Sequence, residues 1–160
     1  MNKLFENVFK NKTVLITGNT GFKGSWLSTW LNLLGANVIG LSIDVPTKPA
    51  LFEIARISSF IQQEYADINN IDDVEEIVKR VQPDYIFHLA AQALVRPSYD
   101  NPLETIRTNS IGTANLMESL RALDKDAIAI MITSDKAYDN LEWPWGYKET
   151  DRLGGKDPYS

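Results

Sequence analysis

The sequence predicts an α/β fold, a doubly wound parallel sheet with helices on both faces in three layers. Two observations carry that prediction. Short apolar runs rich in β-branched residues recur at residues 14–16, 38–43, 85–91 and 127–133, and stretches of helical period separate them. The first run ends in Gly18, Gly21 and Gly24, spaced three apart and opening directly into SWLSTWLNLL. A strand that turns this sharply into a helix aims backbone N–H groups and the positive end of the helix dipole at one point. Glycine lets a pyrophosphate come close to the main chain there. Sheets of this class have right-handed crossovers and bind ligands at the carboxyl ends of their strands.

Bulk properties narrow the field. With 160 residues, 44% hydrophobic and 23% charged, the chain is long enough for one well-buried core and reads as one domain. A net charge of −5 without a basic run gives no support to nucleic-acid binding or to attraction toward anionic membranes. There is no cysteine, so disulfide and thiolate chemistry are excluded, and a single histidine, His88, argues against a zinc site. Residues 1–12 lack the apolar core of a signal peptide, and no run approaches the ~18 apolar residues of a membrane span. A cytoplasmic protein is the expectation.

Taken in order, residues 1–12 form a lead-in whose Leu4, Phe5, Val8 and Phe9 can pack beneath strand one. Helix one carries Phe22, Trp26, Leu27, Trp30, Leu31 and Leu34 at helical spacing, which reads as a core-facing stripe, and Gly35 is placed to cap it. Strand two spans residues 37–43, and Pro46 and Pro49 make residues 45–50 a loop. A short helical turn over 51–59 and strand three over 60–65 follow. A helix through Ile71, Val74, Ile77, Val78 and Val81 has its acids first and Lys79 and Arg80 last, as the macrodipole prefers.

Strand four, residues 85–91, ends in small residues beside which a flat ring can lie, and His88 within it reads as a hydrogen-bonded core imidazole. Residues 92–102 read as a loop with Arg96, suited to a substrate phosphate or a surface ion pair. A long helix over about 103–123 then presents Ile106, Ile111, Ala114, Met117 and Leu120 on one side, interrupted by Asn109, which suits an organiser of nearby backbone.

Chemistry gathers at the strand ends. Asp44 lies twenty residues past Gly24 at the end of strand two, where a Rossmann unit places its ribose-binding carboxylate. A carboxylate there repels a 2′-phosphate, which favours NAD over NADP. Asp67, just past strand three, can accept from an adenine amino group, cap a helix or simply be solvated. Strand five runs straight into Ser134, Asp135 and Lys136, either a catalytic trio or a polar turn holding an Asp–Lys pair. Trp143, Pro144 and Trp145 follow in a loop that either walls a ligand or anchors itself.

The combination TGNTGFKG, HLAAQ, TSDK and DPYS resembles the extended short-chain dehydrogenase/reductases, the nucleotide-sugar epimerases and dehydratases. Within that group, GFKGSWL, LVRPSY and EWPWGYKETDRLGGKDPYS resemble the branch of 4,6-dehydratases that act on CDP-glucose; branches acting on dTDP-glucose and GDP-mannose would carry glutamate at Lys136. The resemblance implies NAD as cofactor, a nucleotide-sugar substrate and a homodimer. It implies that Gly18, Asn19, Thr20, Gly21, Phe22, Lys23 and Gly24 line the pyrophosphate and that Asp44 meets the ribose. Asp67 and Ile68 would meet the adenine, and Leu89, Ala90, Ala91 and Thr133 would lie on the nicotinamide side.

The same resemblance implies that Ser134 binds the sugar's C4 hydroxyl, that Tyr159 removes its proton, and that Asp135 and Lys136 serve as acid and base in the loss of water. The sequence ends at Ser160, ahead of the lysine that this family places four residues beyond the tyrosine. It also ends ahead of the last strands and the substrate domain. The expectation is therefore an NAD-binding domain over residues 1–160, truncated before its last strands and inactive alone.

Overall fold

The computed structural model describes residues 4–160; the first three residues of the lead-in lie outside the described residues. Five strands form one sheet: β1 (Thr13–Thr17), β2 (Asn37–Ser42), β3 (Gln62–Tyr65), β4 (Tyr85–His88) and β5 (Ile128–Met131). Their spatial order is β3-β2-β1-β4-β5, and every pairing is parallel. All carboxyl ends therefore share one edge. The chain winds outward from β1 to β3 and then returns to the other side of β1, so the order reverses between β1 and β4, where such sheets bind ligands.

β1 is central because its residues suit burial on both faces. Val14, Leu15, Ile16 and Thr17 are completely buried, and alternate residues serve opposite layers. Leu15 joins Ile39, Leu41 and Ile86 beneath α3 (Ile71–Val81) and α6 (Gly112–Ser119), which contribute Val74, Val78 and Leu116. Val14 and Ile16 face the other way, toward Leu31 of α1 (Phe22–Leu33), with Phe9 and Phe87 packed at the margin. The far edge is tied by Asp84, which accepts from the Thr13 amide at 2.9 Å and from Lys125 Nζ at 2.8 Å. The Lys125 hydrogen bond, with help from the Thr13 amide, holds this carboxyl below the usual carboxylate range.

α3 forms as its sequence predicts: the Asn70 side chain caps it by accepting from the Asp72 amide, Asp72 and Asp73 fill the first turn, and Lys79 and Arg80 the last. The predicted turn over 51–59 appears as α2 (Leu51–Ile54) and a 3₁₀ turn at Ile57–Ser59.

α1 forms as predicted, and Leu27, Leu31 and Leu34 of its predicted stripe pack on the core, but the aromatic members of the stripe do not. Phe22, Trp26 and Trp30 are 72, 59 and 48% exposed, while Gly24, Ser25, Ser28 and Leu31 are buried. The reason is proximity. The helix has to sit directly on the glycine turn, and only small residues allow it: Ser25 Oγ donates to the Asn19 carbonyl at 3.2 Å and Ser28 Oγ to the Gly24 carbonyl at 2.8 Å. The aromatic stripe is left outside, where Trp30 meets Phe5 edge-on at 5.4 Å.

The long helix after β4 is likewise broken. Part of the predicted loop is helical, α4 (Val95–Asp100), and α5 (Pro102–Ile106) starts afresh at Asn101, with Pro102 in its first turn. A π-helical turn, Arg107–Ile111, then leads into α6. Its wider turn shifts the phase of the helix that follows, so Gly112, Leu116 and Ser119 are buried while Met117 faces outward; Thr105, before it, is buried, and the predicted inward residues Ile106 and Ile111 face outward.

The strands are shorter than their apolar runs. β4 stops at His88 and β5 at Met131; the Leu89 and Ile132 amides still donate to the Thr17 and His88 carbonyls, and the chain beyond them forms the loops that carry the candidate site. Among the described residues no helix is long and apolar enough to cross a membrane, and no cluster of three or more His, Cys, Asp or Glu could hold a metal.

Candidate active site

The glycine corner follows β1 and is built from the inside. Gly18 has φ +71°, and a Cβ there would lie 2.7 Å from the Ala90 nitrogen and 2.8 Å from the Leu89 carbonyl carbon, so glycine lets the turn press against the end of β4. A Cβ on Gly24 would strike the Gly18 carbonyl oxygen and the Asn19 backbone, which is how α1 reaches the turn. Gly21 differs. Its one near neighbour would be the Gly18 oxygen at 3.3 Å, so the side a ligand would approach is open. Gly21 is also the N-cap of α1, and no side chain caps that end. The amides of Phe22, Lys23 and Gly24 therefore head an uncapped helix at the sheet's switch point, a ready anion site.

Asn19 and Thr20 fasten the corner to β2. The Asn19 side chain is fully buried and turned inward, donating to Gln63 Oε1 at 2.6 Å and accepting from Ser42 Oγ at 2.7 Å. This leaves the Asn19 main chain, not its side chain, at the open side of the corner. Gly40 beneath it makes room for the amide. The Thr20 hydroxyl donates to the Asp44 carbonyl at 2.6 Å, which sets the exposed Asp44 carboxylate beside the corner.

At the end of β3, Asp67 Oδ1 accepts from the Asn69 amide at 2.9 Å, an Asx turn, and Asn70 rather than Asp67 caps the following helix. Ile68 is buried against Gly112, with its carbonyl accepting from Asn115 Nδ2 at 2.9 Å, so its side chain faces the core. The loop nevertheless holds an unspent acceptor: Asn69 Oδ1 is buried without a partner. An adenine amino group is a donor of the kind it lacks.

The end of β4 is held by a chain of hydroxyls. Thr17 Oγ1 accepts from the Leu89 amide at 3.2 Å and the Ala90 amide at 3.1 Å and donates to His88 Nδ1 at 2.6 Å. His88 Nε2 therefore carries the ring proton and donates to Thr113 Oγ1 at 2.9 Å, which donates to the Asn109 carbonyl at 2.7 Å. Burial pushes the His88 pKa down to about 4, and the ring is neutral at physiological pH. The Asn109 side chain exchanges two hydrogen bonds with the Gln92 backbone, at 2.8 and 3.0 Å, so the π turn organises the loop over 89–92 as its residue type predicts.

Past β5, Ser134 caps a 3₁₀ turn, Asp135–Ala137, by accepting from the Lys136 amide at 3.2 Å, and Asp135 Oδ1 lies 3.4 Å from the Ser134 hydroxyl. Asp135 does not pair with Lys136. The chain makes an excursion and returns through a bridge between Tyr138 and Leu153, which brings Asp157 back to the turn, and Lys136 Nζ donates to Asp157 Oδ2 at 2.7 Å. This ammonium, chiefly through that hydrogen bond, holds the Asp157 carboxyl below its usual range. Asp157 Oδ1 also accepts from the Tyr159 amide at 3.1 Å. Trp143 and Trp145 lie on the excursion, exposed, with Trp143 stacked on Tyr147 at 6.0 Å and Tyr147 on Tyr138 at 5.3 Å.

The predicted site residues thus converge on one edge, ordered from Asp67 through Asp44, the glycine corner and residues 89–91 to the trio at Ser134. The strands that carry Asp44 and Ser134 are three inter-strand steps apart, about 14 Å. Asp157, Gln63 and Asn69 were not singled out by sequence. For Asp157 a signal exists, a carboxylate two residues ahead of the tyrosine with an unpaired lysine upstream. For Gln63 and Asn69 there is none beyond a polar residue at a strand or loop.

The family model described as GDP-mannose 4,6 dehydratase matches residues 15–160. The chain belongs to that family, within the nucleotide-sugar epimerases and dehydratases. It is 46% identical to the CDP-glucose 4,6-dehydratase of Salmonella typhimurium over 97% of this chain and 43% of that protein. It is 34% identical to the CDP-paratose 2-epimerase of Salmonella typhi over 91% of this chain and 48% of that one. Among solved structures, an epimerase from Methanothermobacter thermautotrophicus superimposes with a TM-score of 0.80 at 25% identity, over 99% of this chain and 46% of that one. The UDP-glucose 4-epimerase of Thermus thermophilus in complex with NAD gives 0.78 at 26%, over 92% and 46%. The fold is thus the Rossmann type the sequence predicts, and the chain spans under half the length of these relatives.

Proposed function

We propose that the protein carrying this chain is an NAD-dependent nucleotide-sugar 4,6-dehydratase with CDP-glucose as substrate. In this reading residues 1–160 supply the cofactor domain. The observation that carries it is the meeting, along one sheet edge, of an uncapped glycine corner with the Ser134–Asp135–Lys136 turn, to which the Lys136–Asp157 pair ties the segment of Tyr159. Identity of 46% to a CDP-glucose dehydratase, against 27 to 32% to GDP-mannose dehydratases of Yersinia and Vibrio, supports the cytidine substrate.

The residues fit NAD. Main-chain amides from Gly18 to Gly24 would hold the pyrophosphate, and Asp44 the adenosine ribose. The Asp67–Asn69 loop would hold the adenine, and Leu89, Ala90, Ala91 and Thr133 would flank the nicotinamide. When bound, NAD would accept a hydride from sugar C4 and return it at C6, which leaves no net redox change. Ser134 would bind the C4 hydroxyl while Tyr159 takes its proton. The resulting ketone acidifies the C5 hydrogen, so Lys136 can remove that proton and Asp135 can protonate the departing 6-hydroxyl as water.

Incubating the full-length protein separately with CDP-glucose and GDP-mannose tests the reading. The 4-keto-6-deoxy product is expected with CDP-glucose, and turnover of GDP-mannose alone, or of neither, contradicts it.

A further inference from the structure

Lys136 and Tyr159 are 23 residues apart and stand on separate segments, yet one carboxylate grips both. Asp157 gives Oδ2 to the Lys136 ammonium at 2.7 Å and Oδ1 to the Tyr159 amide at 3.1 Å, and its side chain is only 7% exposed. We propose that Asp157 is a positioning residue that registers Lys136 to Tyr159; this rests on the reading of Lys136 as a proton-handling group. The Oδ1 contact is an Asx turn of the kind Asp67 makes, but the Oδ2 contact reaches back 21 residues to Lys136, which a local turn does not require. Asp157 lies past the bridge at Leu153, where the excursion over 138–153 has already closed, and its backbone is tied only locally by the Ser160 amide.

The charged and titratable groups around the pair are Asp135 on the same turn, Tyr159 and Lys156 on the returning segment, Tyr99 of α4, whose hydroxyl reaches the Lys156 carbonyl, and the Asp139–Arg152 pair beside the bridge. Among the described residues only Asp157 lies within ion-pair distance of Lys136.

Asp157→Asn keeps an acceptor for the Tyr159 amide and removes the charge that faces Lys136. In the full-length protein it is expected to slow water loss about tenfold, and Asp157→Glu, which keeps the charge, should recover most of that loss. In a Lys136→Met background, Asp157→Asn should slow water loss no further. An unchanged rate in Asp157→Asn, or an undiminished effect without Lys136, overturns the proposal. A direct readout needs no turnover: the ¹³Cγ resonance of Asp157 in the full-length protein should titrate below the usual carboxylate range and move up in Lys136→Met. An Asp157 midpoint indifferent to Lys136 overturns the proposal even where CDP-glucose is consumed. Failure of wild-type turnover with an intact NMR shift faults only the functional reading.

Discussion

Replacing Gly24 by alanine will cost the fold about 3 kcal/mol, at the upper end of ordinary overpacking. The added methyl would occupy the Gly18 carbonyl oxygen and lie 2.6 Å from Asn19 Cα; both are backbone atoms of a turn already braced against Ala90, so α1 would have to back away from the corner. Gly21→Ala is the matched control. It meets the Gly18 oxygen at 3.3 Å and should cost under about 1 kcal/mol while obstructing the approach of a phosphate. Urea unfolding of both variants reads the difference. A Gly24→Ala midpoint equal to that of Gly21→Ala would show that the helix does not need the close approach described.

Acid should weaken the protein through His88. Its folded pKa of about 4 lies below the ordinary 6.5, because burial disfavours the charged ring. Above pH 6.5 the ring is neutral in both folded and unfolded states, and His88 adds no pH dependence. As pH falls from 6.5 toward 4 the unfolded chain binds a proton that the folded chain refuses, so stability is lost across that window and the loss levels off below it, reaching about 3 kcal/mol. The bonding pattern gives the same sign. Thr17 Oγ1 already accepts two amides and must donate to Nδ1, so a protonated ring would leave two donors facing each other. Removing the titration with His88→Gln should flatten the unfolding free energy between pH 6.5 and 4. A slope that persists in the variant assigns the effect to other groups.

How much of this was legible in the chain depended on how local its cause was. The glycine corner is written into a few residues, since each glycine answers to an atom within the turn or the adjoining strand end, and α3 carries its own cap and charges. The burial of α1 was legible only in part: Leu31 packs inward as its spacing predicts, the aromatics do not. Phe22, Trp26 and Trp30 have the spacing of a core stripe, but the turn's demand for small neighbours at Gly24, Ser25 and Ser28 outweighs it. The face of α6 depended on the π turn at Arg107–Ile111, which no side-chain period announces. At the site, Asp44 and the Ser134 turn could be placed because strand ends are legible from apolar runs. The Lys136–Asp157 pair could not, because it forms only after the excursion returns through the Tyr138–Leu153 bridge.

Titrating NAD into the isotopically labelled 160-residue chain, with heat and amide shifts followed together, tests the cofactor site most directly. One equivalent should saturate the signal, and the perturbed amides should be those of residues 18–24, 67–69 and 89–91. No saturable binding, or shifts gathered instead on the exposed Trp26 and Trp30 side of α1, would contradict a dinucleotide laid across the carboxyl ends of the strands.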